Sequence, residues 1–196
     1  MLSALWAGIA PDLQKLVGVL FVAYWTSESL IAWRMRASGP DRSDDRGSLR
    51  LLAIVFTLSW WVAVACLRIR RLSFVGPGVF DVGILVLATA QLLRWWSVAT
   101  LGRLFTVNVA IRQGHRVVEQ GPYRYVRHPS YTAIILFHLG AGLCLGNAAA
   151  LLLLTLPTTA ALLNRIRVEE DVLAAGLGEP YRAYMRRTPR LVPGLY

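Results

Sequence analysis

The chain has 196 residues, of which 56% are hydrophobic and only 16% charged, with a mean hydropathy of +0.49; a soluble domain is about 45 to 50% apolar and about 25% charged. That composition, gathered into long runs, predicts an integral membrane protein and leaves little chain for a soluble domain. The formal net charge of +10 does not indicate a nucleic-acid partner, because the arginines are spread among membrane-proximal loops with no nucleic-acid motif.

Apolar runs lie at roughly 13–33, 51–67, 79–96, 131–145 and 148–163, each near the ~17 to 25 residues that cross about 30 Å of hydrocarbon as a helix. They predict an all-α integral membrane protein with about five transmembrane helices. Almost no positive charge precedes the first run, and Arg34 and Arg36 follow it, so it is expected to stay attached rather than act as a cleaved signal. Residues 38–50, with GPDRSDDRGS, read as a solvated connector. Cys66 and Cys144 lie inside apolar runs without metal-ligand spacing; they read as small core residues, and no metal site is expected. Arg94 stands in QLLRWWSVAT near the end of the third run. It is either a snorkelling anchor or a functional group, the default reading of an ionisable residue within a span.

The stretch GPYRYVRHPSY at 121–131 leads into the fourth run. Proline suits the first turn of a helix, so His128-Pro129 predicts a helix beginning near Ser130. Arg127 and His128 then stand at its positive end, where an anion is favoured, and Tyr131 lies one turn in. Such a cluster suits a ligand that is part charged and part aromatic, or else forms an interfacial belt of Arg and Tyr. Only Gly146 and Asn147 separate the fourth and fifth runs, which predicts a tight antiparallel hairpin, with a kink at Pro157. Glu169 and Glu170 follow the fifth run amid Arg165, Arg167 and Asp171. They could pair with arginine, satisfy backbone donors or attract a cation, or simply form a solvated face. With the N-terminus outside, 17 of the 21 Lys and Arg residues fall on the cytoplasmic side. Lys15, Arg68, Arg70 and Arg71 are left outside.

Taken as an ordered set, GHRVVEQGPYRYVRHPSY, the pair Glu169-Glu170 and GEPYRAYMRRTP resemble the isoprenylcysteine carboxyl methyltransferases and their bacterial and archaeal relatives, membrane enzymes that use S-adenosylmethionine. The resemblance covers residues 94–193. It implies a cytoplasmic-side cofactor pocket that takes His128, Pro129, Tyr131, Glu169 and Glu170, together with Tyr123, Arg127, Tyr181, Tyr184 and Arg187. It also implies catalytic positions at Arg94 and Glu170. Where the eukaryotic pattern has an acidic residue three positions before that arginine, this chain has Gln91. By resemblance to the related phospholipid methyltransferases, Gly140 and Gly142 would allow close approach of the cofactor, although small residues at helix contacts explain them equally.

The expectation is therefore a single membrane domain over 1–196, with three transmembrane helices in 1–96 and the catalytic half in 97–196. It would transfer a methyl group from S-adenosylmethionine, releasing S-adenosylhomocysteine, to the carboxylate of a lipophilic, isoprenoid-like or prenylated acceptor entering from the bilayer lipids. No nucleic acid is expected as a partner, and no metal is needed. The Arg-rich, nearly Lys-free sequence suggests a prokaryotic inner membrane with the active site facing the cytoplasm. The rival readings are a phospholipid or thiol methyltransferase, an NADPH-dependent membrane reductase of the sterol-reductase type, and a non-catalytic scaffold. No GxGxxG follows a strand, so a soluble dinucleotide-binding domain is not expected.

Overall fold

The computed structural model describes residues 10–34, 47–74, 76–107, 114 and 116–194 and places six α-helices among them. These are α1 (Pro11–Arg34), α2 (Ser48–Cys66), α3 (Pro77–Leu101), α4 (Pro129–Leu145), α5 (Ala148–Leu177) and α6 (Glu179–Arg187), with short 3-10 turns at Arg70–Leu72, Gly102–Leu104 and Gly121–Arg124. The connector expected at 38–50 falls largely outside the described residues, as do Arg36, Arg42, Arg46 and Arg112. Hydrocarbon offers no water to backbone N–H and C=O groups, so an apolar segment there satisfies them within a helix. Four of the helices (α1, α2, α3 and α5) are long and apolar enough to cross a membrane, whereas α4 is shorter at 17 residues.

The short α4 is also the most enclosed. It packs against α3 and α5, while α2 packs against α5 and α1 against α3. Between lipid-facing helices the hydrophobic effect gives little drive, and close van der Waals contact at small residues takes its place. A Cβ on Gly140 would lie 2.9 Å from the Leu87 backbone nitrogen and 3.0 Å from the Gly83 carbonyl, and one on Gly142 would lie 2.6 Å from Leu151 Cα. Neither glycine lines the cavity described below. Their close approach is to α3 and α5, the helix-contact reading that the sequence left open beside a cofactor role. Around this crossing the core gathers Val17, Tyr24, Ala63, Phe80, Leu87, Phe137 and Leu154, with Tyr24 stacked on Phe137.

The tight turn between α4 and α5 forms as expected. Gly146 takes the left-handed conformation at φ 58°, and the Asn147 side chain accepts a hydrogen bond from Ala150 N to cap α5. Its amide also donates to the carbonyls of Cys66 and Ile69 at 3.2 and 3.3 Å, and Phe74 N donates to Gly146 O. The segment after α2 is thereby tied to this turn at one end of the bundle. At the other end, Arg127 N and His128 N donate to the carbonyls of Pro189 and Arg190, stitching the C-terminal segment to the start of α4.

One expectation changes. The helix is continuous through Pro157, and α5 continues to Leu177 rather than ending near 163. Its 30 residues span about 45 Å at 1.5 Å each, because after the apolar part the sequence NRIRVEEDVLAAGL holds no residue that must stop a helix before Gly178, whose φ of 66° ends it. Glu169 and Glu170 therefore sit within α5, beyond its apolar part.

Candidate active site

A cavity of about 270 Å³ opens where α1 to α6 converge at the α4 N-terminal end. Its walls include Tyr123, Arg127, His128, Tyr131, Glu169, Tyr181 and Tyr184, all expected from the sequence, and Arg94. Leu52, Ala53 and Phe56 of α2 and Ile134 of α4 add an apolar face. Pro129, Glu170 and Arg187 are not on its wall.

Adjacent residues on a helix point about 100° apart, and the acidic pair separates accordingly. Glu169 faces the cavity, where it accepts a hydrogen bond from Tyr131 Oη at 2.6 Å; that hydroxyl in turn accepts one from Arg165 Nε at 3.0 Å. The rings of His128 and Tyr131 are near-parallel, with centroids 5.6 Å apart. Glu170, only 3% exposed, turns to the other side. It receives Arg127 Nε and Nη2 at 3.0 and 2.8 Å, His128 Nε2 at 3.1 Å, and Arg190 Nε and Nη2 at 3.0 and 2.8 Å.

The carboxylate of Glu170 is thus consumed in locking Arg127 and the C-terminal segment in place. The resemblance implied a catalytic and cofactor-binding place for Glu170; here its carboxylate faces Arg127, His128 and Arg190 and is not on the cavity wall. Arg127 donates further to the carbonyls of Met185 and Thr188. Pro129 serves as the first residue of α4. Arg187 forms an exposed ion pair with Glu119 and stands over the Tyr184 ring at 6.0 Å.

Tyr184 Oη donates to the Tyr123 carbonyl at 2.6 Å, joining α6 to the 3-10 turn before α4. Burial pushes the phenols of Tyr123, Tyr181 and Tyr184 well above their ordinary value, with the negative Glu169 adding to the effect on Tyr123 and Tyr181. They therefore stay neutral hydrogen-bond donors at any physiological pH.

Arg94 does not snorkel. It is 5% exposed, and its Nε and Nη2 donate to the two carboxylate oxygens of Glu28 at 2.6 and 2.8 Å. Its Nη1 donates to Ser130 Oγ, and the Phe105 ring lies 5.4 Å from the guanidinium carbon. Glu28 and Arg165, both on the cavity wall, were not singled out by sequence reasoning. A signal existed for Glu28: it is an ionisable residue within the first apolar run, the feature that drew attention to Arg94. Arg165 was masked by its position among the charges that follow the fifth run.

The sequence profile of the isoprenylcysteine carboxyl methyltransferase family matches residues 82–175. The match takes in just under half of the chain. Among similar proteins, the protein-S-isoprenylcysteine O-methyltransferase of Schizosaccharomyces pombe is 34% identical over 109 residues, which is 55% of this chain and 46% of that protein. Protein-S-isoprenylcysteine O-methyltransferase B of Arabidopsis thaliana is 29% identical over 117 residues, 59% of each chain. The chain thus spans about half the length of the curated relatives it matches. The solved structure of a eukaryotic intramembrane Ras methyltransferase, an isoprenylcysteine carboxyl methyltransferase, superposes with a TM-score of 0.66 at 19% identity, covering 95% of this chain and 69% of that one. This likeness establishes the fold. With four membrane-length helices, it makes the chain a mostly helical integral membrane protein. Glu28 lies outside the family-matched residues.

Proposed function

We propose that this protein is an S-adenosylmethionine-dependent methyltransferase that methylates the carboxylate of a lipophilic acceptor. The observation that carries the reading is Arg94: a buried guanidinium on the wall of a cavity whose other walls combine tyrosines, a carboxylate and an apolar face. The cavity approaches the ~300 Å³ lower end of small-molecule sites, and its chemistry suits a cationic, aromatic cofactor. Tyr123, Tyr181, Tyr184 and His128 offer ring faces that attract a cation, and Glu169 offers negative charge. Bound there, S-adenosylmethionine supplies an activated methyl group on a sulfonium centre.

The chain's own groups then align and desolvate. Arg94 directs N–H donors to an acceptor carboxylate, orients it and keeps it ionised. A carboxylate at neutral pH is already a nucleophile, so no strong general base is required. Leu52, Phe56 and Ile134 exclude water and accommodate an isoprenoid-like chain arriving from the bilayer. The names of the relatives, which specify isoprenylcysteine, support a prenylated acceptor.

We read the whole chain as one membrane domain in which α4 also crosses the bilayer as a fifth span. Residues 97–196 carry most of the site, and the cavity and C-terminal segment face the cytoplasm of a prokaryotic inner membrane, in line with the arginine distribution. Isothermal titration of S-adenosylhomocysteine into the detergent-purified, folded protein tests the cofactor assignment. Saturable binding is expected, and its absence overturns the reading.

A further inference from the structure

We infer that Glu28 is a positioning residue for the reaction: it fixes the guanidinium of Arg94 so that the two N–H donors left over face the acceptor. The inference rests on the methyltransferase reading above. Arg94 has five N–H donors. Glu28 takes one on Nε and one on Nη2, and Ser130 takes one on Nη1. The two that remain, one on each Nη, have no partner among the described residues, and Arg94 lines the cavity.

Glu28 acts from α1, across 66 residues of sequence. Its side chain is 21% exposed against 6% for that of Arg94, and both residues line the cavity. Holding the guanidinium by both carboxylate oxygens removes its freedom to rotate. It also leaves the pair neutral, so the acceptor's carboxylate is aligned without being gripped by an unpaired charge. An error of about 1 Å in such alignment can cost ~10²-fold in rate.

A second observation makes the idea testable. Gln91 lies one helical turn before Arg94, on the same face of α3. Its Nε2 donates to Ser27 Oγ, next to Glu28, at 3.3 Å. Its buried Oε1 has no partner among the described residues. Position 91 therefore borders the same cluster, and a carboxylate placed there is within reach of the guanidinium.

The experiment compares wild type, Glu28→Gln, Glu28→Asp and the double variant Glu28→Gln/Gln91→Glu as full chains in membranes. Methyl transfer from labelled S-adenosylmethionine to N-acetyl-S-farnesylcysteine is measured beside S-adenosylhomocysteine affinity. Glu28→Gln is expected to lose at least about tenfold in kcat, with KM for the acceptor unchanged or lower and S-adenosylhomocysteine affinity within about twofold of wild type. The double variant is expected to recover most of the lost turnover, which a merely structural role for Glu28 would not produce. Full turnover by Glu28→Gln, or a double variant no better than Glu28→Gln while still binding S-adenosylhomocysteine, overturns the inference. If Glu28→Gln does not fold, Glu28→Asp decides: it keeps the charge but shortens the reach, so reduced kcat at normal affinity supports positioning and full turnover overturns it. A wild type that transfers no methyl group to this acceptor removes the carboxyl-methylation reading, and the inference with it.

Discussion

Three of the five donors of Arg94 are committed inside the protein, and its value as an arginine lies in keeping that grip while still presenting donors to the cavity. Lysine in its place retains charge but has a single nitrogen without the planar fork. Arg94→Lys is therefore expected to leave S-adenosylhomocysteine affinity nearly unchanged while lowering methyl transfer at least about tenfold; both are measured on one preparation, and full activity would remove Arg94 from the site. The acidic pair separates in the same way. Glu169→Gln removes a carboxylate from the cavity wall, so affinity should fall about tenfold, the equivalent of ~1.4 kcal/mol, at unchanged thermal stability. Glu170→Gln leaves Arg127 and Arg190 without their buried counter-charge, which costs about 3 kcal/mol or more. Its signature is a lowered melting temperature in detergent, with any loss of affinity following from loosening of the C-terminal segment. Equal stability of the two variants would contradict this division of labour. The resemblance identified the glutamates as a pair, but their divergence is a matter of helical phase, fixed only once α5 is known to run on past both.

At the scale of elements, the helices were legible because hydropathy is a local property: the starts at Pro129 and Ala148 follow from proline and from the Asn147 cap. The far end of α5 was not, since an amphipathic continuation after an apolar run reads equally as a solvated tail. Asn147 also joins elements that sequence leaves separate. It caps α5 and holds the carbonyls of Cys66 and Ile69 while fully buried. Asn147→Ala deletes the cap, worth about 1 kcal/mol, and leaves two carbonyls without a donor, each costing about 1 to 3 kcal/mol if no water replaces it. A melting temperature several degrees lower is expected in detergent, with cofactor affinity at the opposite end of the bundle largely retained. An unchanged melting temperature would show that water substitutes for the amide there.

At the scale of the molecule, the tie between the turn at Asn147 and the segment after α2 places Arg68 and Arg71 at the end of the bundle remote from the start of α4. If the arginine distribution sets orientation, a single cysteine at Gly76 labels from outside the cell and one at Arg182 labels only from the cytoplasm; Asn147, on the same side as Gly76, is fully buried and offers no label site. Labelling of Gly76 and Arg182 from the same side would refute this arrangement. Arg42 and Gln113, which the same arginine distribution puts on the cytoplasmic side, lie outside the described residues. What the sequence determined by itself was the solvent in which the chain folds, the number and rough limits of its apolar segments, the tight turn at Gly146-Asn147, and the ordered motifs whose likeness to the family the profile match over residues 82–175 supports. Each of these is carried by neighbouring residues, through hydropathy, dihedral preference or local spacing. Only the tertiary structure decided that Gly140 and Gly142 serve helix crossings, that Glu170 is a latch while Glu169 faces the cavity, and that α1 supplies Glu28 to Arg94. Those outcomes depend on which faces of distant helices meet. Register between helices is set by side-chain packing across the bundle, and no one-dimensional pattern records it.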